Sequence, residues 1–192
     1  MKQSRALLFG LALVGPILGQ SVQAEDVYTI DITHAYAHFG VSHLGYSTMY
    51  GRIDTTGGSF RFDQDSLTGS IEVMLDPASI DTGHEERDNH LRSPDFLNVV
   101  EFPEMRFVAD NVALTGTGGM FDGELTLHGQ TRPVSLTVTG WRCADNPMSG
   151  RPTCGFDAVG ELQRSEFGMR YAVPAIGDTL QLMIGIEGVR AD

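Results

Sequence analysis

Hydrophobic and polar residues alternate along much of the chain with a period of two residues. Five stretches have an apolar side chain at every second position and mostly polar side chains between them. This alternation is typical of β-strands that bury one face and solvate the other. The alternating apolar residues are Ile71, Val73 and Leu75; Met105, Phe107 and Ala109; Leu125 and Leu127; Val134, Leu136 and Val138; and Leu180, Leu182, Ile184 and Ile186.

The remaining segments with strand character bring the expected total to about eight. Residues 27–32 predict a first strand, and the aromatic-rich residues 34–53 predict one or two more, with a bend near His34 or Gly45. Residues 55–58 and 63–65 are expected to be turns on either side of a short strand, and residues 156–163 form another strand. Regular spacing with turn residues between strands favours a closed antiparallel barrel.

One region breaks the β pattern and predicts a short helix. Asp81, Thr82 and Gly83 can cap a helix over residues 84–92, and Ser93-Pro94 begins a second turn. The helix has a single apolar residue, Leu91, so it cannot fill a core. We expect it to lie across a barrel end or on the surface.

The densest polar group in this helical segment consists of Arg87, Asp88, His90 and Arg92. One interpretation is an ion-paired network that pins the segment to the barrel. The alternatives are a contact with a ligand head group or a partner protein, and catalysis.

The N-terminus has the order of a secretory signal peptide. Lys2 and Arg5 precede an apolar run over residues 6–18, and Val22 and Ala24 place small residues before Glu25. Because a membrane-spanning helix needs about 20 apolar residues, the run is too short for an anchor. We predict cleavage after Ala24, no stable membrane insertion, and a single domain over residues 25–192 exported to the periplasm.

Charge narrows the range of partners. Removal of Lys2 and Arg5 with the signal peptide takes the formal net charge from −12 to −14. A surface this acidic repels phosphate backbones, so a nucleic-acid partner is excluded. The sequence leaves the oligomeric state open.

The two cysteines, Cys143 and Cys154, flank a loop rich in proline and glycine. In an oxidising compartment such a pair closes a structural disulfide. For so short a loop the chain-entropy model gives roughly 3 kcal/mol of stabilisation. A redox-active pair more often has the Cys-x-x-Cys spacing, which is absent here.

Motifs for catalysis and for metal or cofactor binding are missing from the chain. No nucleophile elbow, dinucleotide fingerprint or zincin pair is present. On one strand, His34 and His38 would lie about 13 Å apart, which is too far for one ion, whereas on a helical turn they could meet. We therefore expect no enzyme activity, no metal and no cofactor.

The inside of an eight-stranded barrel is either packed with its own side chains or holds one small ligand. The regular apolar faces, joined by two residues of the aromatic-rich segment, are the expected lining in either case. These candidate ligand-binding residues are Phe39, Val41, Ile71, Val73, Leu75, Phe107, Leu125, Leu127, Val134, Leu136, Val138, Leu182, Ile184 and Ile186.

Several longer motifs carry a resemblance to a known family, and together they run from Val27 to Val189. They are Tyr28-Thr29-Ile30-Asp31, His43-Leu44-Gly45-Tyr46-Ser47 with Tyr50-Gly51, Ser79-Ile80-Asp81-Thr82, residues 86–97 with the specific block Arg87-Asp88-Asn89-His90-Leu91-Arg92-Ser93-Pro94-Asp95-Phe96, residues 123–134, and Arg164-Ser165-Glu166-Phe167-Gly168-Met169. On these motifs the chain resembles the YceI family of periplasmic, lipocalin-like polyisoprenoid-binding proteins.

The resemblance implies an eight-stranded lipocalin-like barrel with a helical segment around a deep apolar pocket. It also implies a non-enzymatic carrier or store for an isoprenoid, quinone-like, fatty acyl or fatty amide lipid. A lipid-modifying enzyme and a structural barrel with a filled core are the alternatives. The segment around Cys143 and Cys154 departs from the family pattern.

Overall fold

The computed structural model describes residues 26–191, and in them eight strands close into an antiparallel barrel. Each strand pairs with the next, and the last pairs with the first. The elements are β1 Asp26–His43, β2 Ser47–Asp63, β3 Thr68–Asp81, α1 Glu85–Arg92, β4 Met105–Ala113, β5 Gly119–Leu127, β6 Gln130–Asp145, β7 Pro152–Gln163, a 3₁₀ turn Arg164–Phe167, and β8 Ile176–Arg190. The predicted all-β barrel with a short helical segment is confirmed.

Strand β1 bends near His34, one of the two places where the sequence predicted a bend; at the other, Gly45, the chain turns into β2. Residues 27–32, predicted as a separate strand, belong to the same strand β1. Its pairing with β8 shifts between Ile30 and Ala35. In the bend the Asp31 carboxylate accepts hydrogen bonds from the backbone N–H and the hydroxyl of Thr33, and it lies 2.9 Å from Nδ1 of His34. These side-chain bonds replace ladder bonds that the bulge gives up.

The turn predicted at residues 55–58 is wrong, because β2 runs through this region without a reversal. The pairing with β3 shifts between Thr55 and Gly57, which marks a bulge. At Gly58 φ is +139°, and an added Cβ would lie 2.2 Å from the carbonyl oxygen of Glu72. The two glycines therefore permit a strained bulge rather than a turn, and residues 59–62 belong to the same strand.

The residue predicted to cap the N-terminus of α1 is also wrong. The N-cap is His84, whose ring nitrogen accepts a hydrogen bond from the backbone N–H of Arg87. Asp81 ends β3 instead, and its carboxylate accepts from the backbone N–H of Gly83. The carboxylate is committed to this local turn, so the helix begins one residue later than expected.

The up-and-down topology places the connections alternately at two ends of the barrel. The helix end contains α1, the segment after it, the 3₁₀ turn and the β1–β2 turn, where Leu44 donates to the carbonyl of Ala175. The hairpin end contains the β2–β3, β4–β5 and β6–β7 connections. Buried apolar residues form one cluster toward each end, with Phe167 and Met169 in the first and Tyr28 and Phe62 in the second.

Candidate functional site

A cavity of about 240 Å³ lies inside the barrel and is bordered by all eight strands. Almost all of its surface is carbon. A buried water needs two to four polar partners, so water is poorly held in such a space. The cavity therefore suits a hydrocarbon chain.

All fourteen apolar residues predicted for the interior border this cavity. They come from six strands: Phe39 and Val41 from β1; Ile71, Val73 and Leu75 from β3; Phe107 from β4; Leu125 and Leu127 from β5; Val134, Leu136 and Val138 from β6; and Leu182, Ile184 and Ile186 from β8. Their contact with a ligand stays a prediction.

Aromatic rings close the hairpin end of the cavity. We call this group the aromatic plug; it consists of Tyr28, Phe60, Phe62, Trp141 and Phe156. Tyr28 stacks on Phe60 with ring centroids 5.0 Å apart, and Phe156 meets the edges of Phe60 and Phe62 at 5.3 and 5.1 Å. Sequence reasoning missed this group, although Phe60 and Phe62 alternate around Arg61 in the strand pattern.

The helix end is covered by apolar side chains from α1 and the segment after it. Leu91, the one apolar residue of α1, borders the cavity together with Phe96 and Leu97. The expectation that this polar helix lies across a barrel end agrees with these contacts.

The polar group on α1 fixes the helix to the end of β3 through hydrogen bonds. Arg87 donates to the hydroxyl and the carbonyl oxygen of Thr82 at 2.7 and 2.8 Å. The buried Asp88 accepts from the backbone N–H and the hydroxyl of the same threonine. Arg92 donates to the carbonyls of Ala78 and Ile80 at 2.7 and 2.8 Å.

The predicted ion-paired form of this network is corrected by these contacts. Within residues 26–191, Arg87 and Arg92 have no carboxylate at ion-pair distance. Backbone carbonyls, a hydroxyl and the side-chain amide oxygen of Asn89 accept their hydrogen bonds. His90 lies apart from the network, with Nε2 2.9 Å from the carboxylate of Asp95. Its ring packs edge-on against Phe96 and Tyr171.

Arg164 is a third arginine fixed at the helix end, and sequence reasoning gave it no role beyond its family motif. Its side chain is 3% exposed and borders the cavity. Burial lowers the pKa of its guanidinium, while the nearby Asp178 opposes that shift. Its donors are taken by four backbone carbonyls, those of Met169, Tyr171, Ile176 and Gly177.

Among residues 26–191 no three histidine, cysteine or acidic side chains come together as a metal site. His34 faces solvent on the β1 bulge, where the hydrogen bond that its ring N–H donates to the Asp31 carboxylate raises the pKa of its imidazole. Hydrogen bonds from Thr33 and His34 hold the pKa of Asp31 at about 2.

The disulfide between Cys143 and Cys154 joins directly paired residues of β6 and β7. Cys154 is fully buried against the aromatic plug, and the loop beyond the pair is exposed. The bridge therefore fastens the hairpin end and lies away from the helix end. In the part of the chain described here, no helix is long and apolar enough to cross a membrane.

Comparison with known proteins supports the resemblance noted in the sequence. The family model of the YceI-like domain matches residues 28–188. A curated relative, Protein YceI of Salmonella arizonae, is 35% identical over 183 residues, which cover 95% of each chain.

Solved structures share the fold at lower identity. The crystal structure of BcnA from Burkholderia cenocepacia superposes with a TM-score of 0.69 at 21% identity, over 82% of this chain and 98% of that one. A polyisoprenoid-binding domain from Saccharophagus degradans has a TM-score of 0.63 at 14% identity, over 85% and 98%. With the barrel, the motifs and the match over nearly its whole length, the chain belongs to the YceI family.

Proposed function

We propose that the protein binds one long apolar lipid in the barrel cavity and serves as a carrier or store in the periplasm rather than as an enzyme. The observation that carries this proposal is the cavity itself, an unfilled space with an almost purely carbon surface. A barrel with a filled core would leave no such space.

The ligand class follows from the shape and chemistry of the lining. Burial of apolar surface contributes about 0.8 kcal/mol per CH₂ group, so ten carbons offer roughly 8 kcal/mol before ordering costs. No specific polar contact is needed for such binding. The ligand is an isoprenoid, quinone-like or fatty acyl or amide chain, and similar tails are only weakly distinguished.

The name of the Saccharophagus degradans domain supports the isoprenoid form of the proposal, since that neighbour is described as binding polyisoprenoids. Membership of the YceI family and the signal-peptide pattern support the periplasmic form. The signal-peptide prediction concerns residues outside those that the structure describes.

Organic-solvent extraction of protein purified from the periplasm, followed by mass spectrometry, tests the proposal. We expect one class of lipid at a stoichiometry near one per chain. The matched control is the Ile184→Trp variant purified in parallel, in which the cavity is blocked. Equal lipid in both samples would indicate carry-over from the membrane and would contradict the proposal.

A further inference from the structure

The barrel wall has one incomplete seam, between β4 and β5. Their pairing is limited to Arg106–Thr126, Phe107–Leu125 and Val108–Glu124, whereas every other neighbouring pair of the described strands has seven or more paired residues. We call residues 109–113 of β4 and 119–123 of β5 the β4–β5 seam. On their far sides Ala109, Val112 and Ala113 keep partners in β3, and residues 119–123 keep partners in β6.

The cavity reaches this seam from the inside. Val112 of β4 and Phe121 of β5 both border the cavity, and both are half-buried. Phe107, at the last paired rungs, lies 6.3 Å from Phe121 between ring centroids. At the seam, side chains rather than a hydrogen-bonded ladder separate the cavity from the exterior.

A polar groove lies on the outer surface over the paired rungs of β4 and β5, and it reaches the seam at Asp110. Its side chains include Arg61, Glu72, Arg106, Asp110, Glu124 and Thr126. Four residues, Phe60, Arg61, Ser70 and Ile71, border both the groove and the cavity, so one layer of strands divides the two. The groove offers hydrogen-bonding groups and solvent to a polar head that the carbon surface of the cavity would not accommodate.

Both barrel ends are fastened more firmly than the seam. At the helix end Arg92 and Arg164 donate to backbone carbonyls of β3 and β8 and of the segment before β8. At the hairpin end the aromatic plug and the Cys143–Cys154 bridge fill the opening. Opening either end breaks these contacts, whereas residues 109–113 and 119–123 have no ladder pairing with each other to break. Beyond them the backbone pair Thr115–Gly118 closes the β4–β5 hairpin and stays in place when the seam separates.

We propose that the lipid tail enters the cavity sideways through the β4–β5 seam and that its polar head stays in the outer groove. The proposal rests on the proposed lipid-binding function. It assigns the ligand a class: a single-chain amphiphile with a small polar head, held with its tail inside and its head against the barrel wall.

A chemical cross-link across the seam tests this route. Asp110 and Asp122 are exposed on opposite sides of the seam, and the chain has no cysteines besides the bridged pair. The Asp110→Cys/Asp122→Cys variant is joined with a short bismaleimide, and the same variant capped with N-ethylmaleimide is the matched control. Stopped-flow fluorescence with cis-parinaric acid then measures uptake and release.

A second cross-link serves as a control for position. Asp122 and Ser135 are paired across the complete β5–β6 ladder, where the serine donates to the carboxylate. In the Asp122→Cys/Ser135→Cys variant, the same cross-linker joins two strands that are already fully hydrogen-bonded to each other. We expect uptake and release to slow at least tenfold with the seam link and to change less than twofold with the β5–β6 link.

Unchanged rates in the seam-linked protein would overturn the proposal. If the unmodified protein takes up no probe, the lipid-binding function fails instead, so the two failures are distinct. Hydrogen exchange on the unmodified protein is a second test, and it does not depend on whether the cysteine variants fold. We expect loading with cis-parinaric acid to change exchange at residues 109–113 and 119–123 more than at residues 91–97, and the reverse pattern would contradict the seam route.

Discussion

Small side chains beside large ones leave the cavity open at Ile184. On β8 this residue pairs with Ala37 of β1 on one side and with Ala158 of β7 on the other. Neither alanine fills the space next to the isoleucine side chain, which borders the cavity. A substitution at Ile184 can therefore distinguish a tunnel from a packed core.

Replacing Ile184 by Trp is expected to reduce bound lipid at least tenfold, because the indole occupies the volume that the tail requires. The free energy of unfolding should fall by less than the roughly 1–3 kcal/mol that overpacking a filled core costs. Lipid content by mass spectrometry and the melting temperature are measured together. Val159→Trp is the control, since Val159 is 43% exposed on the neighbouring strand. A strongly destabilised Ile184→Trp protein that keeps its lipid would contradict a tunnel.

Asp31 gives the β1 bulge a pH dependence. Its pKa of about 2 lies below the usual value near 3.9, so its contribution to stability is present above pH ~4 and is lost as the pH falls toward 2. We expect Asp31→Asn to lower the free energy of unfolding at pH 5 by less than ~1 kcal/mol, as for exposed ion pairs. Urea unfolding at several pH values measures this, and a difference from the parent that grows toward pH 2 would show another cause.

At the level of elements, the period of the sequence predicted most strands but not the bulge in β2. Thr55, Gly57 and Gly58 have the composition of a turn, and only pairing with β3 keeps the strand continuous there. The N-cap at His84 was hidden for a similar reason. Asp81 is the stronger capping residue by type, but its carboxylate is held by Gly83 at the end of β3.

The attachment of α1 to β3 depends on Asp88. Asp88→Ala removes the acceptor for the backbone N–H and the hydroxyl of Thr82, and we expect it to cost roughly 1–3 kcal/mol. Glu86→Ala, on the exposed face of the same helix, should change stability by less than ~0.5 kcal/mol. Urea unfolding compares the two variants, and equal effects would rule out a special role for Asp88.

The β6–β7 hairpin provides a second prediction at this scale. Reduction of the Cys143–Cys154 bridge should lower the free energy of unfolding by roughly 3 kcal/mol, while lipid binding survives because the seam and the cavity wall keep their residues. Calorimetry with and without reductant measures the shift, and lipid analysis accompanies it. Loss of lipid on reduction, at a temperature where the protein stays folded, would contradict this separation.

For the whole molecule, the sequence predicted which strand faces line the cavity but not which residues close the two ends of the barrel. Strict alternation identified the walls, because inward residues of a closed barrel share one side of every strand. The aromatic plug and the position of Arg164 depend on contacts between residues far apart in sequence, such as Phe62 with Phe156. No local pattern encodes those distances.

The mature chain is expected to begin at Glu25, since Val22 and Ala24 supply the small residues that signal peptidase requires. N-terminal sequencing of protein from the periplasmic fraction checks this prediction. As a control, Ala24→Arg should block processing and leave the longer chain with the membrane. A periplasmic protein that starts at Met1 would contradict the prediction.

The void inside the barrel has a consequence for how the protein responds to hydrostatic pressure. Pressure favours whichever state has the smaller volume, and unfolding removes internal voids, with typical volume changes of about −20 to −100 mL/mol. A cavity of about 240 Å³ is therefore expected to make the barrel compressible and sensitive to pressure. Under the proposed function, a lipid tail would fill this space, and we expect the lipid-bound protein to be less compressible than the lipid-free protein.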